Sequence, residues 1–170
     1  MMKKIAQLKQ YSIICGYGRT GSRVVAELQA AKKNFVVIEE NEDIIKKLDE
    51  QGIPYIQGDA TEEETLESAT VCQADSLVAA LDTDAENLFL TLTASGMCAD
   101  LRIIARVHEP ESERKFQKAG AKRVVSPISS GASQIAQRIT RPSVVVLVEL
   151  VTKDKNMALQ VCEYPIDEGS

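Results

Sequence analysis

The feature that most constrains this chain is a regular alternation of short β-rich runs with amphipathic segments. The first β-rich run covers residues 11–15 and leads, through a glycine-rich turn, into a segment at 19–32 with helical periodicity. Strands that alternate with helices need crossover connections, which make the strands parallel and place helices on the faces of the sheet. The apolar positions of the first helix are Val24, Val25, Leu28 and Ala31.

Five further strands are predicted at 34–39, 54–57, 75–80, 101–107 and 123–126. These runs are continuously apolar, which is typical of strands that are covered on both faces. We therefore predict an α/β fold: a Rossmann-like, doubly wound, mainly parallel six-stranded sheet with helices on both faces. The predicted helix signals are an N-cap at Asn41, a stop at Gly52, capping boxes at Thr61–Glu64 and Thr83–Glu86, and a start at Pro110 with a stop at Gly120.

The chain divides into three parts on this pattern. Residues 1–10 are predicted as a linker, 11–140 as the Rossmann-like lobe, and 141–170 as a dimerisation or linker segment. Within the last part, the apolar run at 144–151 is rich in β-branched residues, which favours a strand, but it follows a proline, which favours a helix start. One more strand is predicted at 157–164, with few partners left for it, so we expect the natural protein to continue beyond this chain.

Composition narrows the functional classes. The 170 residues are 44% apolar and 26% charged, as in soluble globular proteins, and no apolar run approaches the length of a membrane span or a signal peptide. The formal net charge of −5 argues against a nucleic-acid partner, which would require a basic face. The four cysteines are Cys15, Cys72, Cys98 and Cys162, and no two of them have CxxC spacing. We therefore expect reduced, mostly buried thiols in a cytosolic protein, with neither disulfides nor zinc.

The strongest functional motif is Gly16-Tyr17-Gly18-Arg19-Thr20-Gly21, a GxGxxG sequence directly after a predicted strand and at the start of a predicted helix. In this context the first glycine permits the tight turn, the second lets a pyrophosphate approach the backbone, and the third lets the helix pack closely on the sheet. The N–H groups at the helix start then bind phosphate. Arg19, inside the loop, is a candidate to pair with that phosphate.

Two acidic residues follow at the ends of the next strands. Glu39 ends the second strand, where an acid accepts hydrogen bonds from ribose hydroxyls and disfavours the 2′-phosphate of NADP. Asp59, in the sequence Gly58-Asp-Ala-Thr61, follows the third strand on the ligand side of the sheet. Asp59 has two interpretations: a contact to the adenine or ribose, or a turn followed by a helix cap in which Thr61 and Glu64 take part.

Catalytic machinery is not evident beside this site. The single histidine, His108, fits a surface or interface residue better than a catalyst, and acids at Asp82 and Asp84 are explained equally well by helix capping. Neither a Tyr-x-x-x-Lys pair, a Walker sequence nor metal-ligand spacing occurs. We therefore expect a sensor with no catalytic or metal-binding residues; the alternative is an NAD-dependent oxidoreductase fragment that lacks its catalytic domain.

Several segments together resemble the RCK domain, also called the TrkA-N or KTN domain, of potassium channels and transport regulators. The similarity covers roughly residues 10–150. It is carried by the sequences Ile13-Ile-Cys-Gly-Tyr-Gly-Arg-Thr-Gly21, Val37-Ile-Glu39, Gln57-Gly-Asp-Ala-Thr61, Leu81-Asp-Thr-Asp-Ala-Glu-Asn87, Ile103-Ile-Ala-Arg106 and Ala119-Gly-Ala-x-x-Val-Val-Ser-Pro127.

The resemblance implies a regulatory domain that binds NAD(H), ATP, ADP or AMP. It implies a homodimer, often within a larger gating ring, that acts on a potassium-channel pore or a transporter membrane subunit from the cytoplasmic side of the membrane. Some calcium-gated members carry acidic residues at the positions that Arg106 and His108 hold in this chain. Neither side chain has a carboxylate oxygen to bind calcium, so the resemblance does not extend to calcium gating through these positions. Carried over by position, the cofactor-binding residues are Gly16, Tyr17, Gly18, Arg19, Thr20 and Gly21 at the phosphates, Glu39 at the ribose, Asp59 and Ala60 at the base, and Arg106 at the ligand or the dimer partner.

Overall fold

The computed structural model describes residues 10–140, and the predictions for 1–9 and 141–170 lie outside them. Its centre is a six-stranded parallel sheet in the order β3-β2-β1-β4-β5-β6, which confirms the predicted fold. The strands are β1 Tyr11–Cys15, β2 Asn34–Glu39, β3 Tyr55–Gln57, β4 Ser76–Ala79, β5 Arg102–Arg106 and β6 Arg123–Val125.

The helices connect these strands in sequence order. They are α1 Arg19–Ala30, α2 Glu42–Glu50, α3 Glu63–Ser68, α4 Asp84–Met97, α5 Glu113–Lys118 and α6 Pro127–Thr140, with short 3-10 turns at Val71–Gln73 and Pro110–Ser112. The chain forms two compact units divided between residues 129 and 130; the sheet and α1 to α5 belong to the first. No helix among residues 10–140 is long and apolar enough to cross a membrane.

The sheet has a hydrophobic core on each face, because successive side chains of a strand point to opposite faces. On one face, Ile14 and Val37 pack with Val25 of α1 and Leu48 of α2. The opposite face buries the larger cluster, in which the strands meet α3, α4 and α5. Its members include Ile13, Val36, Leu77 and Ile103 from the strands and Leu66, Leu90 and Phe116 from the helices.

The predicted helix signals had different outcomes. Asn41 caps α2 through hydrogen bonds from the Asp43 and Ile44 amides, and Gly52 follows α2 at a φ of +66°, as predicted. The capping box at Thr83 and Glu86 is confirmed. The box at Thr61 is wrong: α3 begins at Glu63 after Glu62, without a side-chain cap. Ala31 was also placed wrongly, since it is exposed and follows the last turn of α1.

The expectation that all cysteines are reduced thiols is wrong for one pair. Cys72 and Cys98 form a disulfide, with a Cα–Cα distance of 5.4 Å. Cys72 lies in the 3-10 turn after α3, and Cys98 directly follows α4. The packing of α3 against α4 brings these two distant parts of the sequence together. Cys15 is a free, buried thiol, and its burial raises its pKa.

Candidate functional site

The candidate site lies at the carboxyl ends of β1 and β4, where the order of the parallel sheet reverses direction. Ligands of doubly wound folds bind in the crevice at this point. Here the first βα loop, the ends of β2 and β3 and the β4–α4 loop enclose a cleft of about 220 Å³. Its lining includes Gly16, Gly18, Glu39, Asp59, Ala60, Leu81, Asp82 and Glu86.

Two of the three motif glycines are needed for the fold itself. Gly16 has a φ of +90°, and a Cβ there would lie 2.8 Å from the Ala80 carbonyl oxygen. Its amide donates to the Ile38 carbonyl at 2.9 Å, which ties the turn between β1 and α1 to the neighbouring strand β2. A Cβ on Gly21 would collide with the Gly16 carbonyl. These two positions therefore accept no side chain, whether or not a ligand is bound.

Gly18 differs from both, because the protein leaves room for a side chain there. Its φ of −72° is open to any residue, and the atom closest to an added Cβ is Asp82 Oδ1, at 3.7 Å. Gly18 is the N-cap of α1, where no side chain caps the helix and no acid lies in the first turn. The positive end of α1 therefore faces the cleft beside an unfilled space, which is the arrangement that binds phosphate.

Glu39 organises the loop and also lines the cleft. Its Oε2 accepts a hydrogen bond from the Tyr17 amide at 2.8 Å, and its Oε1 accepts from the Glu40 and Asn41 amides at 3.0 Å each. A carboxylate has about four acceptor positions, so these bonds leave room for a ribose hydroxyl. Tyr17 contributes its amide here, while its ring packs in the core cluster of α1 and α2.

In the loop after β3, Asp59 forms the predicted turn but not the helix cap. Its Oδ1 accepts from the Thr61 amide at 2.8 Å and the Thr61 hydroxyl at 2.7 Å, as in a side-chain turn. Asp59 also lines the cleft, next to the buried Ala60. Gly58 must be small because a Cβ there would lie 2.8 Å from Thr65 Oγ1. The structure thus brings this loop to the glycine motif, as predicted.

A second cleft of about 250 Å³ continues from the first. The two share Gly18, Ala80 and Asp82, so they meet at the start of α1. A ligand with two nucleoside halves would extend from one into the other across Gly18. The second cleft is lined by Arg19, Thr20, Arg106, His108 and Pro127, among others.

Arg106 ends β5 and is held by the loop that follows β4. Its guanidinium donates to the carbonyls of Leu81 and Asp82, the latter at 3.1 Å, and to His108 Nε2 at 2.9 Å. Its Nε is buried and has no hydrogen-bond partner among the described residues. Within the same residues no carboxylate pairs with this cation, because Asp84 is bound to His108, so an anionic ligand group in the second cleft would supply the opposite charge.

His108 and Asp84 form the part of the site that sequence reasoning missed. Since a guanidinium can only donate, His108 Nε2 is an acceptor and the ring proton lies on Nδ1, 3.0 Å from Asp84 Oδ1. Asp84 also accepts from the amides of His108, at 2.8 Å, and Glu109. Burial raises the pKa of Asp84, but these hydrogen bonds outweigh it and hold the pKa below its usual value.

Asn87 is the other residue that was missed. It is fully buried in α4, accepts from the Leu81 amide at 2.8 Å, and donates to the carbonyls of Leu81 and Arg106 at 3.1 and 3.3 Å. It therefore fixes the β4–α4 loop against β5. The sequence signal available was a polar residue on the buried side of a helix, directly after the capping box.

Comparison with known proteins places this geometry in a family. The TrkA-N domain model matches residues 12–127. A probable potassium channel protein 2 of Methanocaldococcus jannaschii is 41% identical, over all of this chain and 52% of the relative, so the chain spans about half the length of that channel. A Trk system potassium uptake protein TrkA homolog of Methanothermobacter thermautotrophicus is 34% identical over 82% of this chain and 65% of its own length.

Solved structures show the same likeness. The TrkA-N domain of the inner membrane protein ybaL of Escherichia coli superposes with a TM-score of 0.72 and 27% identity, covering 77% of this chain and 97% of that domain. The GsuK channel bound to NAD superposes with a TM-score of 0.65 and 31% identity over 70% of this chain and 22% of that one. GsuK has also been solved bound to ADP.

Proposed function

Since the chain belongs to the TrkA-N domain family, we propose that it is the nucleotide-sensing regulatory domain of a potassium channel or transporter. NAD(H) or an adenine nucleotide binds with its phosphates at the start of α1 and its adenosine between Glu39 and Asp59. The observation that carries this proposal is the unfilled space at Gly18, where the protein alone gives no reason for a glycine. The names of the relatives supply the potassium pore or transporter.

The ligand is proposed to be sensed and not consumed. A proton-transfer catalyst beside the nicotinamide needs a free acid or base. His108 has both ring nitrogens engaged, one with Arg106 and one with Asp84, so neither is available for that role. This bonding argues against His108 as the proton-transfer catalyst that an oxidoreductase would need.

We further propose that the domain acts as a homodimer or within a larger ring, at the cytoplasmic face of the membrane. A ligand can bias a pore only if it binds one arrangement of the paired domains more tightly than another. The β4–α4 loop is suited to transmit this difference, because it lines the nucleotide cleft and continues into α4, whose outer side exposes Phe89 and Leu92.

Thermal unfolding with NAD, NADH, ATP, ADP and AMP tests the binding site. A ligand at a hundredfold excess over its dissociation constant adds about 2.7 kcal/mol, or roughly 5–10 °C for a chain of this size. Gly18→Ala should fold normally and lose this shift. Gly131→Ala is the matched control, since its Cβ meets nothing within 4 Å and the residue, in α6, lines neither cleft.

Two outcomes would contradict the proposal. If no nucleotide raises the melting temperature, the nucleotide site is absent; if Gly18→Ala keeps the full shift, the ligand binds elsewhere. Recovery of the bound nucleotide, analysed by chromatography after prolonged incubation, separates a sensor from an enzyme. Conversion of NADH would support the oxidoreductase alternative.

A further inference from the structure

The disulfide between Cys72 and Cys98 lies outside the nucleotide clefts and has no role in the function proposed above. Cys72 is exposed in the 3-10 turn that follows α3, and Cys98 is half-buried at the end of α4. The two residues are 26 positions apart, and their Cα atoms are 5.4 Å apart, within the range that a disulfide spans.

The proximity of this pair is set by the core packing of the elements that carry it. Leu66 of α3 and Leu90 and Ala94 of α4 are fully buried in one cluster, together with Val71 of the turn. None of these four side chains contains sulfur, so their packing does not require the bond. We therefore expect the two thiols of a reduced chain to stay close enough to form the bond again.

Both helices also start at the nucleotide cleft. Residues 58–61 precede α3 and residues 80–82 precede α4, and both loops line that cleft. The disulfide thus joins the far ends of two elements whose near ends form the candidate site.

We propose that Cys72 and Cys98 form a reversible thiol–disulfide site that reacts with low-molecular-weight disulfides. Cys72 reacts first because it is the exposed sulfur. Its thiolate attacks one sulfur of a reagent RSSR, forming a mixed disulfide and releasing RS⁻. The Cys98 thiolate then attacks the Cys72 sulfur and releases the second RS⁻. The two protein thiol protons end on the two RSH products, so one RSSR is reduced as the pair is oxidised.

The surface around Cys72 determines which disulfides react. The groove beside it has a volume of about 400 Å³ and is lined by Glu63 and Glu67, one helical turn apart on α3, with Thr70, Gln73 and Met97. Two carboxylates repel an anionic reagent and attract a cationic one. The site therefore takes cationic or uncharged disulfides in preference to anionic ones.

Cys15 provides an internal reference. It is fully buried in β1, and burial raises its pKa, so the thiolate required for exchange is suppressed. Oxidation of the folded chain should leave Cys15 unchanged.

The test uses the full chain with Cys162→Ser as the parent, so that this fourth cysteine adds no adduct, and follows the mass of the reduced folded parent during reaction with cystamine, hydroxyethyl disulfide or glutathione disulfide. The parent should lose ~2 Da without a lasting adduct, with peptide mapping showing a Cys72–Cys98 link. Adding Cys98→Ser should keep one adduct on Cys72, and adding Cys72→Ser should make the reaction at least tenfold slower. A lasting adduct on the parent, equal rates for the two variants, or no reaction would each overturn the proposal.

Charge preference gives a second readout. Cystamine should react fastest and glutathione disulfide slowest, and the double variant Glu63→Gln, Glu67→Gln should reduce that difference at low salt. If the ratio of the cystamine rate to the glutathione disulfide rate is unchanged in the double variant, the groove does not select the reagent.

Melting temperature gives a third readout, and it needs no nucleotide, so its failure is separate from failure of the proposed function. Closing a loop of this length should raise the melting temperature of the oxidised wild type by about 10 °C over the reduced form. The two single serine variants should show no such difference. Equal melting temperatures for oxidised and reduced wild type would show that the pair does not hold α3 to α4.

Discussion

At the scale of single residues, the glycine motif separates what the fold needs from what a ligand needs. Gly21 packs against the Gly16 carbonyl, so any side chain there pushes α1 away from β1. Gly18 has an ordinary φ and open space around it. Sequence alone treats these positions as one motif, whereas the structure assigns each of them a different physical reason.

Alanine substitutions at these positions should therefore differ in stability. Gly21→Ala should lower the free energy of unfolding by about 3 kcal/mol, because the new methyl group meets backbone that cannot move aside. Gly18→Ala should change it by less than about 0.5 kcal/mol. Urea unfolding without nucleotide measures both. Equal losses would mean that Gly18 is also needed for the fold.

The Asp84 carboxylate should make stability depend on pH in the acid range. Its folded-state pKa lies below its ordinary value, so its contribution is fully present above about pH 4 and is lost as pH falls through the folded pKa. Asp84→Asn should cost roughly 1–2 kcal/mol at pH 7, from the hydrogen bonds to His108 and Glu109. In urea unfolding from pH 7 to pH 3, the difference from wild type should shrink below about pH 4.

Asp43→Asn is the control for this pH dependence. Asp43 is 84% exposed and pairs with the exposed Lys46, so its substitution should have little effect at any pH. A difference between wild type and Asp84→Asn that stays constant down to pH 3 would contradict the role given to the ionised carboxylate.

At the scale of elements, two identical Thr-x-x-Glu patterns gave different structures. Before α4, Thr83 and Glu86 cap each other's backbone amides. Before α3, the Thr61 amide and hydroxyl are already bonded to Asp59, two residues earlier. A side-chain turn thus competed with the capping box and prevented it. The local pattern indicated a helix start in both places, but the neighbouring aspartate decided its form.

Removing the α4 cap should therefore have a measurable cost. Thr83→Ala should lower the free energy of unfolding by about 1 kcal/mol, because the Glu86 amide loses its side-chain acceptor. Thr93→Ala, in the interior of the same helix, is the control. Its exposed hydroxyl donates to the Phe89 carbonyl of the same helix, so a change within about 0.5 kcal/mol is expected. Chemical denaturation compares them. Similar losses at the two threonines would indicate that the cap contributes nothing beyond helix propensity.

At the scale of the whole molecule, the sequence predicted the order and type of the elements, because hydrophobic periodicity reports how each segment faces the core. It also located the glycine loop, Glu39 and the loop after β3 at one edge of the sheet. The missed features are contacts between distant segments. Asp84 meets His108, and Cys72 meets Cys98, through helix packing that local periodicity does not encode. Each of these residues had a plausible local explanation, which concealed its partner.

The outer side of α4 links this domain to its proposed assembly. Phe89 and Leu92 are 58% and 52% exposed and lie one turn apart, and Gly96 follows on the same side with open space above it. Large apolar side chains grouped on a surface favour burial against a partner. A flat glycine at the end of the stripe allows a second helix to approach closely. We therefore expect a second copy of the chain to cover this side of α4.

Sedimentation of the wild type and of Leu92→Asp tests this expectation. A carboxylate buried at the interface would weaken association at least tenfold, while the monomer remains folded because Leu92 is exposed in it. Lys47→Asp, on the exposed side of α2, should leave association unchanged. If Leu92→Asp associates like the wild type, assembly uses another surface, and nucleotide signals would have to leave the cleft by a route other than the β4–α4 loop and α4.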